Sequence, residues 1–282
     1  MKNALPILLA VFPLCAQPPS GPPAVIRAFH EEIKQGKSAA HERSEAAFMQ
    51  AAAKANFPAH ILGLTNITGI SQAVFLEAFD TFASIPGAEA VLDKPEFGPL
   101  DAVDAELRTS QWSQLARYRT DLSYGAEKID LRKARFLSIE TIRIREGQAQ
   151  KFEELVKTLV SGAVKSGDNQ PVAAYEVISG APGGTYLVLE PMASLKSLDE
   201  GPQREQALVQ AMPNGPQTLR ELSETMASEE SILFAVNPAM SYVPKEWITS
   251  SPEFWGRKPA PPVAKAPAAN AAAKPDAKPA AK

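Results

Sequence analysis

Residues 136–192 read FLSIETIRIREGQAQKFEELVKTLVSGAVKSGDNQPVAAYEVISGAPGGTYLVLEPM. Apolar and polar residues alternate over residues 136–144, a period of two that predicts a strand. Residues 149–164 place their apolar side chains on one stripe, which is typical of an amphipathic helix. Residues 172–178 and 185–189 predict two further strands on either side of a glycine-rich hairpin turn. The stretch therefore has the order strand, helix, strand, strand.

Residues 25–82 show the same order and match the later stretch position by position. The offset between matched residues is 111 near the start and grows to 118 near the end. Order, spacing and residue character persist over the whole span, which indicates an internal duplication. The matched pairs include Gly36 with Gly147, Glu42 with Glu153, Gly69 with Gly180, Glu77 with Glu190, and Tyr124 with Tyr242.

A later helix and a fourth strand complete each half, giving the order β-α-β-β-α-β of a ferredoxin-like unit. The fourth strand is predicted over residues 111–124 in the first half and residues 231–242 in the second. Residues 201–212 are mixed and predict a loop with a short helix. Such a unit is an antiparallel sheet with helices on one face, and its other face must be covered. We therefore predict an α+β protein in which two tandem units, residues 24–125 and 135–245, form an intramolecular α/β barrel. Because one chain supplies both sheets, we expect a monomer.

The second half opens with the spacing Glu140-x-Ile142-x-Ile144-Arg-Glu-Gly147-x-x-x-x-Phe152. This opening is similar to the strand-turn-helix start of NIPSNAP-type domains, and the pattern of the two halves resembles the dimeric α/β-barrel superfamily. The resemblance implies the barrel fold. Members of that superfamily include cofactor-free monooxygenases, haem enzymes, isomerases and binding proteins, so the fold does not select one function.

The N-terminus has the layout of a secretory signal peptide, which we predict over residues 1–16. Lys2 precedes a short apolar run, and Ala16 is a small residue suited to cleavage. The run is shorter than the roughly 20 apolar residues that span a bilayer, so we expect no transmembrane segment. Lipidation at Cys15 is disfavoured because Leu14 stands where a small residue is required. We therefore expect export to the periplasm or beyond the cell.

The amino-acid composition limits the binding partners and the chemistry that we expect of this chain. The chain has 282 residues, 45% of them hydrophobic, and a formal net charge of −3, which gives no electrostatic reason to bind nucleic acid. Cys15 is the only cysteine, so a chain cleaved after Ala16 has no disulfide and no thiolate chemistry. Residues 256–282 consist mainly of Ala, Pro and Lys, a composition that predicts a disordered tail.

Charged residues on the predicted strands are candidates for a ligand site. Strand alternation predicts that they face into the barrel, where carboxylates and guanidinium groups would surround an apolar cavity. Such a lining suits a small molecule that carries a carboxylate or enol group. Two alternatives stay open: the residues form structural ion pairs, or the predicted facing is displaced by one residue. The candidates are Arg27, Glu31, Glu77, Arg117, Arg119, Glu140 and Glu190.

The three histidines, His30, His41 and His60, all lie in the first half. They form no HxH or HxxxH pair and have no counterparts in the second half. We therefore predict polar positions at the surface or at strand ends, and no metal site. The sequence also lacks a phosphate-binding glycine loop, and we predict no cofactor. It has no nucleophile elbow, so it does not indicate a Ser-His-Asp site.

Three functions are consistent with these features. We favour a binding module whose barrel holds a small molecule. One alternative is a cofactor-independent oxygenase or isomerase that uses Glu31 or Glu140 as a base and an arginine to hold the anion. The other is an envelope interaction protein in which the barrel is a scaffold. A barrel interior filled with Leu and Phe would argue against the first two.

Overall fold

Eight strands form one closed barrel in the computed structural model, which describes residues 21–259. They are β1 (Val25–Ile33), β2 (His60–Asn66), β3 (Gln72–Phe79), β4 (Arg108–Tyr118), β5 (Phe136–Ile144), β6 (Ala173–Ser179), β7 (Thr185–Met192) and β8 (Met226–Val236). The predicted α+β class and closed barrel are therefore confirmed. The predicted signal peptide lies outside the described residues, as does the tail beyond residue 259.

The order around the barrel is β1-β3-β2-β8-β5-β7-β6-β4, and every neighbouring pair is antiparallel. Two seams join the first four strands to the last four. In one seam β2 pairs with β8, with Leu64 opposite Val236, and in the other β4 pairs with β6, with Tyr118 opposite Tyr175. The closed arrangement leaves no free sheet edge.

Helices cover the outside of the barrel. The first half carries α1 (Ser38–Ala55), α2 (Ile85–Leu92) and α3 (Gly98–Ala105). The second half carries α4 (Ala149–Ser166), α5 (Lys196–Asp199), α6 (Gly201–Ala211) and α7 (Gly215–Thr225). The short helices α8 (Lys245–Ser250) and α9 (Pro252–Trp255) follow β8. Among residues 21–259, no helix has the length and hydropathy needed to cross a membrane.

The two long helices end in the same way. α1 ends at Asn56 and α4 at Gly167, and both residues adopt the left-handed conformation, with φ of 53° and 71°. This conformation turns the chain away from the helix axis while the residue's N–H bonds back to the last turn. Glycine adopts it freely and asparagine more easily than most residues, which explains both choices.

The two faces of the sheet pack against different partners. Interior side chains from all eight strands form one apolar core, which includes Ile26, Leu64, Leu187 and Phe234. Outer side chains pack under the helices in two separate clusters, one in each half. Because both faces are covered, even a short strand is almost wholly buried: seven of the eight residues of β3 are buried.

This packing corrects the predicted facing of the candidate site residues. Ile26 and Ala28 of β1 belong to the interior core, so Arg27 and Glu31 face outward, toward the helices. The same alternation places Glu77, Arg117, Glu140 and Glu190 on the outer face, because Leu76, Ala116, Ile139 and Leu189 belong to the interior core. Alternation shows which residues share a face, but it does not distinguish the faces when both are buried.

Element bounds also differ from the sequence predictions at three places. β4 is Arg108–Tyr118 rather than residues 111–124, and β8 is Met226–Val236 rather than residues 231–242. Residues 227–231 are exposed, so no buried and exposed alternation marks this start of β8. Beyond β8, the Asn237 side chain accepts a hydrogen bond from the Ala239 N–H and caps a 3-10 turn over Pro238–Met240. Residues 201–211 form the continuous helix α6, where a mixed segment was predicted.

The last described helices close one end of the barrel. Phe254 and Trp255 of α9 are buried and join the interior core, together with Trp247 of α8. The Trp255 indole N–H donates to the Arg132 carbonyl at 3.0 Å, and the Arg135 guanidinium lies 3.8 Å from the centre of the Phe254 ring. The chain is therefore anchored up to Trp255.

Candidate functional site

A cavity of about 330 Å³ lies in the first half, between the outer face of the sheet and helices α1, α2 and α3. Its volume is near the lower end of the range of about 300–1,000 Å³ found for small-molecule sites. The sheet supplies one wall and the helices the other. Its charged lining residues are Arg27, Glu31, Glu45, Glu77, Glu89, Asp101, Asp104 and Arg108.

Apolar side chains form most of the remaining wall. Phe29 and Phe75 rise from the sheet, and Phe48 and Met49 descend from α1. The Phe48 ring meets the edge of Phe97 at a centroid distance of 5.2 Å, which fixes the chain just before α3. Flat aromatic surfaces of this kind bind the apolar body of a ligand and leave its orientation to the polar groups.

Arg27 holds one group of charges at this cavity. Its guanidinium donates to the Glu77 carboxylate of β3 and to the Glu89 carboxylate of α2. Burial raises the pKa of Glu77, although the bond from Arg27 opposes that shift. Two nitrogens of Arg27 are thus paired with carboxylates of the protein.

A second group of charges lies deeper. We call Glu31, His41, Glu45 and Asp104 the His41 cluster; all four are buried, and one ligating atom of each lies within 4.8 Å of the others. His41 Nε2 is 2.7 Å from Glu31 Oε2 and 3.6 Å from Asp104 Oδ1. Helix α1 presents His41 and Glu45 on one face because they are four residues apart.

Arg108, the first residue of β4, holds the opposite side of this cluster. Its Nη1 group contacts Glu31 Oε1 and lies 3.1 Å from Asp104 Oδ2, and its Nη2 group is 2.7 Å from Asp101. Arg108 therefore pairs with one carboxylate oxygen of Glu31 and one of Asp104. The other oxygen of each carboxylate points toward His41.

Two carboxyl groups of the His41 cluster, Glu45 and Asp104, have pKa values above their ordinary range. Burial, followed by the charges of Glu31 and Asp104, raises the pKa of Glu45 well above its usual range. Burial and the Glu31 charge likewise raise the pKa of Asp104. Buried carboxylates that share one site resist simultaneous ionisation, which is the physical cause of both shifts.

Negative charge dominates the cavity. Six carboxylates line it against two arginines, and both arginines are already paired with carboxylates of the protein. This lining does not favour the ligand with a carboxylate or enol group that was predicted for the barrel interior. Its field favours a cation or a molecule that donates hydrogen bonds.

Of the predicted site residues, the structure brings Arg27, Glu31 and Glu77 together in this cavity. The other four lie in the second half or at the seam. Arg119 donates to Glu153 of α4 at 2.7 and 2.8 Å, and also to Asp121 and Glu176, while Arg117 pairs with Glu176. These contacts are the structural ion pairs of the alternative interpretation.

Glu140 and Glu190 form a separate acidic group with Glu229 on the outer face of the second half. Burial, reinforced by the Glu229 and Glu190 carboxylates, raises the pKa of Glu140 to about 8. Arg204 of α6 lies 3.4 Å from Glu190. Glu140 is therefore excluded as a base for the first-half cavity.

Five residues of this site were not predicted from the sequence: His41, Glu45, Asp104, Arg108 and Glu89. The histidines were predicted at polar surface positions, yet His41 is 2% exposed and His30 is 8% exposed. His30 faces the barrel interior, where it stacks on Trp112 at 4.8 Å. The available signal was the spacing His41-x-x-x-Glu45, which places an imidazole and a carboxylate on one helix face.

A second cavity, of about 430 Å³, opens at the end of the barrel next to α8. Its wall is largely apolar and includes Ile26, Leu62, Leu137, Tyr175 and Leu189. At this end the barrel interior is apolar and open, and the predicted charged residues do not line it. The charged cavity under the helices is a different space, so the binding hypothesis moves to that location.

Comparison with solved structures places the fold. A monooxygenase-like protein from Fusobacterium nucleatum has a TM-score of 0.52 and 10% identity, covering 75% of this chain and 91% of its own. A second, from Lactobacillus acidophilus, has a TM-score of 0.50 and 11% identity, covering 75% of this chain and 93% of its own. An anthrone oxidase-like protein has a TM-score of 0.50, 11% identity, and coverage of 75% and 90%.

These similarities show the dimeric α/β-barrel fold, as the resemblance implied. At such identities they show the fold alone. No known family model matches the sequence, and no curated protein matches it either.

Proposed function

We propose that this protein binds a small organic molecule in the cavity under α1, α2 and α3. The observation that carries the proposal is the combination of aromatic walls with two groups of paired charges in one cavity. Apolar walls with a few convergent polar groups are the usual composition of a ligand site. The acidic field selects a molecule with amine or hydroxyl groups attached to an apolar body.

Two glycines allow a matched test of this site. Gly98 lines the cavity and Gly87 does not; a Cβ atom added at either residue meets no atom within 4 Å. Gly98→Leu therefore fills space at the cavity without a backbone clash, and Gly87→Leu serves as its control on α2.

The experiment is native mass spectrometry of protein purified from its own host, followed by thermal-shift screening with amines and phenols. We expect a retained small molecule, or a stabilising one, whose binding is lost in Gly98→Leu and kept in Gly87→Leu. The proposal fails if the wild type retains nothing and no compound stabilises it, or if both variants bind as the wild type does.

A second candidate is the proton-transfer enzyme named above, a cofactor-independent oxygenase or isomerase. The specific observation in its favour is the 2.7 Å contact between His41 Nε2 and Glu31, since Glu31 lines the cavity and a base held by a hydrogen-bonded partner is positioned for proton transfer. The oxygenase-like structural neighbours agree with this class of chemistry. Turnover of a bound phenol by the wild type, absent from His41→Gln, would support it.

The architecture and location are also part of the proposal. The strand orders β4-β1-β3-β2 and β8-β5-β7-β6 support two ferredoxin-like units that arose by duplication, with a NIPSNAP-like opening in the second. The N-terminal composition supports export after cleavage at Ala16. Sequencing of the mature N-terminus tests this directly, because an intact Met1 in the cell envelope fraction or a wholly cytoplasmic chain contradicts it.

A further inference from the structure

The two halves of the barrel differ sharply at one equivalent place. His41 and Glu45 are the fourth and eighth residues of α1, and Phe152 and Val156 are the fourth and eighth residues of α4. At the sheet, Ile33 pairs with Arg108 and Ile144 pairs with Met226, each directly after a bulge. Glu31 and Ile142 each stand two residues before these isoleucines, and Asp104 and Leu222 each stand four residues before Arg108 and Met226. All five positions thus have counterparts in the second half.

Those counterparts are apolar. Ile142 and Phe152 are buried in the outer core of the second half, and Val156, Leu222 and Met226 pack against them. The fold is therefore built without charge at this place in one half. In the other half it buries three carboxylates and a histidine, which is costly unless something compensates the charge.

Within this cluster, Asp104 is the carboxylate without a hydrogen bond of good geometry. The residue is 3% exposed, and within residues 21–259 neither carboxylate oxygen has a hydrogen-bond partner. Arg108 lies 3.1 Å from Oδ2, but without hydrogen-bond geometry. A buried carboxylate left in this state requires an explanation, and an ion bound at the site is one that other proteins provide.

We propose that the His41 cluster binds one divalent transition-metal ion through Glu31, His41, Glu45 and Asp104. Arg108 holds the outer oxygens of Glu31 and Asp104, so that Glu31 Oε2 and Asp104 Oδ1 remain directed toward His41 Nε2. Outer partners of this kind orient metal ligands in general. Three of the four ligands line the cavity, which gives the ion a path of entry.

The ligand set defines the class of metal. One imidazole with three carboxylates suits Mn²⁺, Fe²⁺ or Zn²⁺ better than the softer thiolate-binding ions. Ligands bonded at about 2.1 Å lie at most about 4.2 Å apart. The four ligating atoms lie within 4.8 Å of one another, so small side-chain movements complete the site.

The test uses the full chain, stripped with EDTA and dialysed against Mn²⁺ alone or Zn²⁺ alone. We expect one ion per chain by elemental mass spectrometry, immobilised Mn²⁺ by electron paramagnetic resonance, and a higher thermal midpoint. Asp104→Asn and Glu45→Gln should each weaken binding at least tenfold. Glu190 is a half-buried carboxylate outside the cluster, so Glu190→Gln should bind the ion as the wild type does.

The outcomes separate this inference from the proposed ligand site. Gly98→Leu should keep the ion even where it loses the organic molecule. If Asp104→Asn does not fold, the stoichiometry of the wild type and the affinity of Glu45→Gln decide. The inference is overturned if the wild type retains neither Mn²⁺ nor Zn²⁺, or if Glu45→Gln binds them as tightly; the cluster then holds protons only.

Discussion

Burial makes the charge of Glu140 depend on folding. Its pKa of about 8 in the folded protein, against an ordinary value of 4.5, arises from burial and from the Glu229 and Glu190 carboxylates. Between those two values the folded chain holds a proton that the unfolded chain has released. The free energy of unfolding therefore falls as pH rises through this window.

We expect Glu140→Gln to remove this pH dependence. At pH 8.5 the variant should be more stable than the wild type by at least about 1 kcal/mol, because a pKa shift of one unit corresponds to about 1.4 kcal/mol. At pH 4 the two should be nearly equal, because both then carry a neutral side chain. Urea unfolding at the two pH values measures the difference. Glu230→Gln, on an exposed neighbour of the same strand pair, is the control, and an equal gap at both pH values would contradict the prediction.

At this scale the sequence predicted only part of the candidate site. Arg27, Glu31 and Glu77 were found because charged residues are unusual on strands. Asp104 and Arg108 lie more than sixty residues from His41 along the chain, and no local pattern reports that the fold brings them together. The His41 and Glu45 pair was accessible from its helical spacing alone.

At the scale of elements, β2 meets the 3-10 turn over Pro238–Met240 at one glycine. A Cβ atom at Gly63 would lie 2.2 Å from the Met240 carbonyl oxygen and 2.9 Å from the Met240 Cβ. The Gly63 N–H donates to Ser241 Oγ at 2.9 Å, and its carbonyl accepts from Asn237 at 2.8 Å. The turn thus packs directly on the backbone of the strand.

Gly63→Ala should separate these two elements. We expect a loss of about 2 kcal/mol in the free energy of unfolding, since the clash involves backbone atoms that cannot rotate away. Gly87→Ala, where the new methyl group enters open space on α2, should be neutral or slightly stabilising. Chemical denaturation compares the two variants, and equal stabilities would show that the turn moves freely from the strand.

Elements were predicted well where one face of a segment differs from the other. The helix stripe of α4 and the matched turns at Gly69 and Gly180, both with positive φ, are examples. The facing of the strands was not predictable, because a barrel covered by helices buries both faces of β3. The start of β8 was missed because its residues are polar on both faces.

At the scale of the whole molecule, both seams of the barrel lie within one chain. Among residues 21–259, the barrel leaves no strand edge at which a second copy could extend the sheet. We therefore expect a monomer in solution. Multi-angle light scattering over a range of concentrations measures this, and a dimer that persists on dilution would contradict it.

The C-terminal anchor gives a second prediction at this scale. Removal of residues 256–282 should leave the thermal midpoint unchanged, because Phe254 and Trp255 stay in place. Removal of residues 252–282 should lower it by several degrees, since two buried aromatic side chains and the bond to Arg132 are lost. Calorimetry of the two truncated proteins compares them. A large drop for the shorter deletion would show that the tail itself is docked.

The apolar counterparts of the His41 cluster define a variant of the first half that should bind no ion. Placing them in the first half replaces a buried group of charged side chains with the apolar packing found at the same place in the second half. Such exchanges are often neutral or stabilising by about 1–4 kcal/mol. A graft with a higher thermal midpoint and no bound ion would show that the charged cluster binds the ion at the expense of stability. The exchanges are Glu31→Ile, His41→Phe, Glu45→Val, Asp104→Leu and Arg108→Met.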